Sequence, residues 1–291
     1  MLYKLSDMQK IARKNGFAIP HFLGGNLEMT YGGIRAAEKL NSPIAFGVAP
    51  EVFASIPMEA SFPMILNLAH HSKVPVAVQL EHGKNYEQIA RAIRLGVNSV
   101  MYDGSALPYE ENVANTRDSV RLAHALDVCV EAELGHVGGS AVRGGGQAPM
   151  GYKTDPELVR DFVAGTTVDA LAVSFGNVHG QYQGKADIDL KLIKKIDAIS
   201  PVPLVMHGGS GLPDGIYAGI VDAGISNIHF YSGVAMYAWG EINHRVGEHD
   251  EYPPFHEIVS YSVDFFQNKI EHIIGLLGAK DRANDFYDLT R

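Results

Sequence analysis

Residues 168–182 read VDALAVSFGNVHGQY and residues 203–211 read PLVMHGGSG. In each stretch a short apolar run is followed by a segment rich in glycine that carries one histidine. A strand that is apolar at nearly every position is buried on both faces, which is typical of a parallel strand covered by helices. Both stretches therefore predict a buried parallel strand with polar side chains at its carboxyl end.

Apolar runs of the same kind recur along the chain, separated by segments with the i, i+3, i+4, i+7 pattern of an amphipathic helix. The predicted strands are Phe17–Phe22, Pro43–Val48, Pro75–Leu80, Asn98–Tyr102, Val128–Leu134, Ala170–Phe175, Val202–Met206 and Asn227–Tyr231. Eight strands with helices between them, in 291 residues, indicate an α/β fold of the (β/α)8 TIM-barrel type. An open, doubly wound sheet is the competing architecture, and the strand count favours the barrel.

We expect residues 1–291 to form a single TIM-barrel domain in which residues 252–291 are a C-terminal helical extension. The extension contains a predicted helix, His256–Leu277, with an apolar stripe. This stripe packs either against the barrel or against another subunit, and the pattern does not separate the two. A glycine-rich segment, Gly138–Gly151, lacks periodicity and is predicted to be a mobile loop.

Composition excludes several classes of protein. The 24 Lys and Arg against 33 Asp and Glu give a net charge of −9, and the chain has no basic run, so nucleic acid and anionic membranes are not expected partners. The single cysteine, Cys129, excludes a disulfide framework and a cysteine-ligated zinc site. With no long apolar segment and no signal-like N-terminus, we predict a cytoplasmic protein.

Three of the 13 histidines follow predicted strands, and each of the three precedes a glycine: His82, His179 and His207. Because the carboxyl ends of barrel strands meet at one rim, we expect these histidines to lie close together. Three imidazoles with an open fourth position are typical of catalytic zinc, although Fe²⁺ and Co²⁺ also accept imidazole. The alternative, that each histidine only satisfies a local backbone hydrogen bond, is less consistent with three at successive strand ends.

The loop Gly208-Gly209-Ser210-Gly211 follows the seventh predicted strand and precedes a helix, where barrels commonly bind phosphate. Ser232, just after the eighth strand, could donate to the same anion. The alternative is a tight turn that merely needs glycine. None of the eight predicted strands contains a lysine, which excludes Schiff-base chemistry inside the barrel.

Together these motifs resemble the class II, metal-dependent ketose-bisphosphate aldolases, the group that includes fructose- and tagatose-bisphosphate aldolases. The resemblance runs from about Ser6 to Ala238. Besides the two stretches quoted first, it includes NLEM (26–29), EHG (81–83), SVMYDGS (99–105) and EAELGHVGG (131–139).

The resemblance implies reversible retro-aldol cleavage of a ketose phosphate or bisphosphate to dihydroxyacetone phosphate and an aldehyde, with Glu81 as the acid/base group. It implies one catalytic Zn²⁺ on His82, His179 and His207, with Asp103 and Glu133 near an alternative or second metal position. The residues that it assigns to the phosphate are Gly180, Gly208, Gly209 and Ser210. A monovalent cation near main-chain oxygens, a small sugar-phosphate substrate and a homodimer or higher homo-oligomer are also implied.

The chain departs from the family around the substrate and not at the metal. Glu81 replaces an aspartate, His229 replaces an asparagine, and the loop that usually carries an acid reads Ser140-Ala141-Val142-Arg143. We therefore expect a substrate other than fructose 1,6-bisphosphate, with Arg143 or His229 contacting an anionic or otherwise altered end. The alternatives are an aldolase for a differently phosphorylated or modified ketose, and a non-catalytic barrel that binds metal and sugar phosphate.

Overall fold

The computed structural model describes residues 1–139, 151–180, 182, 186–248 and 253–290. Eight strands pair in parallel in chain order, and the eighth pairs with the first to close a barrel. The predicted (β/α)8 barrel is confirmed, and the open sheet is excluded because a closed sheet has no edge strands.

The strands are β1 (Ile19–Leu23), β2 (Ile44–Val48), β3 (Val76–Gly83), β4 (Ser99–Tyr102), β5 (Cys129–Leu134), β6 (Ala170–Val173), β7 (Leu204–Met206) and β8 (Ile225–Phe230). The α-helices in the described residues are α1 (Leu5–Asn15), α2 (Leu27–Lys39), α3 (Met58–His71), α4 (Tyr86–Arg94), α5 (Tyr109–Ala125), α6 (Pro156–Thr166), α7 (Leu190–Asp197), α8 (Tyr217–Asp222), α9 (Ser232–Gly247) and α10 (Phe255–Leu276). Short 3₁₀ helices cover Pro50–Val52, Asp214–Ile216 and Ala283–Thr290.

Helix α6 begins at an N-cap signal in its local sequence. The Asp155 side chain accepts a hydrogen bond from the amide of Glu157 at 2.9 Å, and Pro156 occupies the first turn. An N-cap acceptor removes one unpaired amide, and proline at this position loses no helical hydrogen bond. The helix therefore begins at Pro156 and is followed by β6 at Ala170.

Apolar side chains form two layers around the barrel wall. Large aromatic residues such as Phe46, Phe62 and Phe162 are fully buried in the main core cluster. A smaller buried cluster contains Met101, Ala170, Ala172 and Val205. Because successive strand residues face opposite sides, this second cluster fills the barrel interior while the first packs the strands against the helices.

The C-terminal extension packs on the barrel through α10, which lies against α2. The sequence predicted this helix at His256–Leu277, and in the structure it begins and ends one residue earlier. Two consecutive glycines of α2, Gly32 and Gly33, allow α10 to approach closely. That residues 1–291 form one domain stays a prediction, as does a subunit contact through this helix. In the described part of the chain no helix is both long and apolar enough to span a membrane.

Gly32→Ala is expected to destabilise the protein. A Cβ at this position would lie 2.6 Å from the carbonyl oxygen of Val263 and 3.0 Å from Cβ of Phe266, so α2 and α10 must separate. Overpacking of this kind costs about 1–3 kcal/mol in the free energy of unfolding, measured by urea denaturation. Gly275→Ala is the matched control, because no atom lies within 4 Å of that Cβ position. Equal stability of the two variants would contradict the argument.

Candidate active site

The three histidines predicted at strand ends meet at the carboxyl rim of the barrel. His82 is the penultimate residue of β3, and His179 and His207 follow β6 and β7. The ring centroids are 4.6 Å apart for His82 and His207, 5.0 Å for His82 and His179, and 5.8 Å for His179 and His207. One nitrogen from each ring lies within 4.8 Å of the other two, which is close enough for all three to bind one metal ion.

Two of these rings are oriented by buried carboxylates. His82 donates from Nδ1 to Asp103 at 2.8 Å, and His207 donates from Nε2 to Glu131 at 2.8 Å. In the neutral, metal-binding form of each ring, this hydrogen bond fixes the tautomer, so that Nε2 of His82 and Nδ1 of His207 carry the lone pairs. A carboxylate behind a histidine is the usual arrangement around a protein metal ion.

His179 completes the set with a different environment. Both of its ring nitrogens are buried and lack a hydrogen-bond partner among the described residues, as does Nε2 of His82. Burial and the neighbouring charges of His82 and His207 lower the pKa of His179 well below its usual range. The imidazole is therefore neutral, which is the form that binds a metal. Unpartnered buried nitrogens that face one another are expected where an ion binds.

A β-bulge in β3 sets the direction of His82. The register between β3 and β4 shifts between Leu80 and Gly83, and His82 has φ 44°, in the left-handed region that is uncommon for non-glycine residues. A regular strand would turn Glu81 and His82 to opposite faces. With the bulge, Glu81 and His82 are both buried and belong to neighbouring polar clusters.

Asp103 lies behind His82 and has contacts at both carboxylate oxygens. Oδ2 accepts from His82 and pairs with Lys84, and Oδ1 accepts from the Ser105 hydroxyl at 2.7 Å. Although burial opposes ionisation, His82 and Lys84 lower the pKa of Asp103 well below its usual range. In turn, although burial lowers it, Asp103 raises the pKa of His82 to about 9.

Glu133 lies on the other side of the same cluster. Its Oε1 accepts from the amide of Val137 at 2.8 Å, whereas Oε2 is buried and has no hydrogen-bond partner in the described residues. Burial and the nearby charge of Asp103 raise the pKa of Glu133 to about 7. Ligand atoms of His82, Asp103 and Glu133 lie within 4.8 Å of one another, so the two predicted acids lie beside His82.

A narrow cleft opens beside the histidines. It is lined by Leu23, Glu81, His179, Gly180, His207, Gly208, Ser210, His229, Tyr231 and Ser232. Helix α9 begins at Ser232, so its positive end faces the cleft. Ser210 accepts a hydrogen bond from the amide of Tyr231 at 3.1 Å, which leaves its own proton to donate. The predicted phosphate residues Gly180, Gly208, Ser210 and Ser232 thus share one cleft.

The two loop glycines are needed by the backbone itself. Gly208 has φ 70°, and a Cβ there would lie 2.1 Å from the carbonyl oxygen of Val178. The amide of Gly209 already donates to the carbonyl of His229 at 2.9 Å, so this amide is not available to an anion in this structure. Tight-turn geometry therefore accounts for part of the glycine pattern.

Glu81 and His229 form a second buried cluster with His21. Oε1 of Glu81 lies 3.0 Å from Nε2 of His21 and 3.1 Å from Nδ1 of His229. Although burial opposes ionisation, the imidazoles of His229 and His21 lower the pKa of Glu81 well below its usual range. Burial, with His21 beside it, lowers the pKa of His229 to about 3. Arg143, the other predicted substrate contact, lies outside the described residues.

Sequence reasoning did not assign His21, Lys84 or Glu131 to the site. Glu131 stands two residues before Glu133 in β5, and this period-2 spacing was a signal that both carboxylates face the barrel interior. His21 is in the middle of an apolar strand, where a histidine is more often a core residue than a ligand. Lys84 follows the histidine–glycine pair and carries no recognisable pattern.

The family model for class II fructose-bisphosphate aldolases matches residues 3–282. The chain therefore belongs to this family and is an aldolase, a carbon–carbon lyase by class, which confirms the resemblance. It is 37% identical over 234 residues to the Escherichia coli K12 protein YdjI, covering 80% of this chain and 83% of that one. It is also 37% identical over 215 residues to a Bacillus subtilis (strain 168) protein named "Probable fructose-bisphosphate aldolase", covering 73% and 75%.

Solved structures show the same architecture. The crystal structure of the YdjI aldolase from Escherichia coli K12 superposes with a TM-score of 0.87 at 29% identity, covering 97% of this chain and 100% of that one. A fructose-bisphosphate aldolase from Campylobacter jejuni superposes with a TM-score of 0.77 at 19% identity over 96% of both chains. The second comparison supports the fold alone.

Glu133 is expected to make the metal-free protein less stable as the pH rises from about 4.5 to about 7. Its folded-state pKa of about 7 is above the ordinary 4.5, so in this window the folded state binds more protons than the unfolded state, and unfolding becomes easier with rising pH. Each pKa unit is worth about 1.4 kcal/mol. Glu133→Gln should flatten this slope in urea denaturation with a chelator present, whereas Gly275→Ala, which changes no titratable group and meets no atom within 4 Å, should not. Identical slopes for wild type and Glu133→Gln would refute the expectation.

Proposed function

We propose that this chain is a zinc-dependent aldolase that reversibly cleaves a ketose phosphate or bisphosphate to dihydroxyacetone phosphate and an aldehyde. The observation that carries the proposal is the set of His82, His179 and His207 beside a cleft that ends at the N-terminus of α9. Imidazole nitrogens and a cleft at a helix N-terminus are two features that a metal-assisted cleavage of a sugar phosphate needs.

The residues present suit Zn²⁺. Three imidazoles, two of them backed by carboxylates, match the donor set of catalytic zinc, and the unpartnered nitrogens of His82 and His179 favour an ion over a closed hydrogen-bond network. When bound, zinc supplies Lewis-acid polarisation of the ketose carbonyl. Asp103 and Glu131 hold the rings of His82 and His207 in place through their hydrogen bonds. Glu133, with its free Oε2, is the remaining candidate for an alternative metal position.

Glu81 is the proposed acid/base group. It lines the cleft, and the imidazoles of His21 and His229 keep it ionised, so it can accept the proton of the C4 hydroxyl during cleavage and return it during condensation. Oε1 lies between the two imidazoles, whereas Oε2 has no hydrogen-bond partner in the described residues and is the oxygen available for this proton.

The phosphate is proposed to bind at Gly180, Gly208, Ser210 and Ser232, with the Ser210 hydroxyl and the start of α9 as donors. Gly209, also implied by the resemblance, is left out because its amide donates to the carbonyl of His229. A monovalent cation at main-chain oxygens of this region is retained from the family resemblance. Both predicted contacts to the far end of the substrate are retained as proposals. Arg143 lies outside the described residues. His229 lines the cleft, with Nε2 directed to Asn227.

Removal of the metal should abolish cleavage. A chelator, or His179→Ala, is expected to reduce kcat/KM on the order of 10³-fold or more, because metal stabilisation of the transition state is worth several kcal/mol. Added Zn²⁺ should restore the chelated wild type but not the variant. His244→Ala, on the exposed part of α9, is the control and should retain activity. Full activity of a metal-free preparation would refute the zinc proposal.

The second candidate is an aldolase for a ketose with different phosphorylation. It is favoured by Glu81, whose side chain is one methylene longer than that of aspartate and whose carboxylate lies beside His21 and His229 inside the barrel.

Ketose 1-phosphates and 1,6-bisphosphates should be assayed side by side to separate the two candidates. Ser210→Ala should raise KM for every accepted substrate if the shared phosphate binds there. Tight binding of zinc and sugar phosphates without cleavage of any ketose would indicate the non-catalytic barrel instead.

A homodimer or higher homo-oligomer is part of the proposal. Exposed apolar residues on α9 and at the start of α10, namely Met236, Tyr237, Trp239 and Phe255, offer a surface for a second copy. Multi-angle light scattering measures the mass of the particle, and a monomer at micromolar concentration would exclude the oligomer.

We also propose a cytoplasmic location, since the one cysteine, Cys129, is free and buried.

A further inference from the structure

The cluster of His21, Glu81 and His229 is separate from the three histidines that the proposed function uses for zinc. It joins three strands: His21 is in β1, Glu81 in β3 and His229 in β8. All three side chains are buried, at 0%, 0% and 3% relative exposure. Nε2 of His21, Oε1 of Glu81 and Nδ1 of His229 are ligand atoms that lie within 4.8 Å of one another.

These atoms are close together without a well-formed hydrogen bond. The distances from Oε1 of Glu81 to the two nitrogens are 3.0 and 3.1 Å, yet neither contact has the full geometry of a hydrogen bond. Two ligands of one zinc ion, each about 2.0–2.2 Å from it, stand roughly 3–3.5 Å apart and direct their lone pairs at the ion. Close approach without alignment is therefore the relation expected between ligands of a shared ion.

The tautomer of His229 strengthens this interpretation. Asn227 donates from Nδ2 to the carbonyl of Ile19 at 2.9 Å, so its Oδ1 is an acceptor, and that oxygen also receives a hydrogen bond from Gln9 at 3.0 Å. Nε2 of His229, 2.9 Å from the same oxygen, must carry the hydrogen. In the neutral ring Nδ1 then has a lone pair that faces a carboxylate oxygen, which is repulsive unless a cation lies between them.

The rings of His82 and His207, at the proposed zinc site, are oriented in the same way as that of His229. There too a protein acceptor takes the N–H of each ring and leaves the second nitrogen as a ligand. In the cluster of His21, Glu81 and His229, both ring nitrogens of His21 and both oxygens of Glu81 are buried without a hydrogen-bond partner among the described residues. Burying so many unpaired polar atoms is costly without a bound group.

Gly47 makes room for this arrangement. A Cβ at Gly47 in β2 would lie 2.2 Å from Oε1 of Glu81 and 2.7 Å from its Cδ, so only glycine allows the carboxylate to occupy this place. The long glutamate side chain, the absent Cβ opposite it and the two histidines thus form one matched set.

We propose that His21, Glu81 and His229 bind a second divalent cation through Nε2, Oε1 and Nδ1. Two imidazoles and one carboxylate favour a borderline ion such as Zn²⁺. The ring centroid of His229 lies 4.1 Å from that of His207, so the two metal sites are neighbours. Oε2 of Glu81 is not a ligand in this proposal and remains for proton transfer. The site does not depend on which ketose is cleaved, nor on whether cleavage occurs.

The test measures metal content and not activity. Purified wild-type protein, reconstituted with Zn²⁺ and then desalted, is expected to hold about two zinc ions per chain by plasma mass spectrometry. Glu81→Gln and His21→Phe, which keep the side-chain shape or ring but remove a ligand, should each hold about one. His179→Ala should also hold about one, and the double variant His179→Ala/Glu81→Gln should hold almost none. His244→Ala is the surface-histidine control and should match the wild type.

A Co²⁺ titration of the metal-free wild type gives a second readout that needs no variant. The visible absorption of bound Co²⁺ should saturate near two equivalents, and circular dichroism establishes that each variant is folded. One equivalent in the wild type would overturn the proposal and assign the space between Glu81 and the imidazoles to a proton. Two ions in both Glu81→Gln and His21→Phe would also overturn it. Loss of the proposed aldolase activity alone, with two ions bound, would leave this site intact.

Discussion

The pairing of β8 with β1 is the constraint on which the rest of the molecule depends, because it closes the sheet. Closure brings the carboxyl ends of all eight strands to one rim and leaves no edge strand exposed. The register of this pair sets His21 directly opposite His229. Residues from the two ends of the barrel sequence therefore share one buried cluster, and Glu81 reaches it from β3.

The carboxylates behind the histidines give the site its order. Asp103 and Glu131 lie behind His82 and His207, and the polar side chain of Asn227 performs the same task for His229. Each of these groups accepts one N–H and so decides which nitrogen of the ring is a ligand. Burial removes water as a competitor, so the positions of the lone pairs are determined by the protein alone.

Much of the fold follows from local sequence. Continuous apolar runs predict strands because parallel strands are covered on both sides, and the Asp155-Pro156 start of α6 was readable from the cap. The predicted bounds were less accurate at β3, which extends to Gly83, because polar residues inside a barrel end look like a loop. The left-handed conformation of His82 had no local signal, since few non-glycine residues adopt it and only the tertiary structure holds it there.

The site was partly readable for the same reason. His82, His179 and His207 could be predicted because each lies at or after the carboxyl end of a strand, and these ends meet at one rim in any such barrel. The role of Asp103 behind His82 and the presence of His21 could not, because they depend on which strand faces which across the barrel. Gly47 shows this most clearly: a glycine in an apolar strand suggests nothing until the side chain that fills its space is known.

The bulge in β3 has a consequence for how this rim can change. In an unbroken strand, neighbouring positions serve opposite sides of the sheet and can vary separately. Here the left-handed turn at His82 directs two consecutive side chains to two adjacent clusters inside the barrel. Inserting or deleting a single residue in this segment would move one of them to the outer wall among the helices. The positions of both clusters therefore depend on the same short segment of backbone. The length of β3 matters for the chemistry as much as the residues in it.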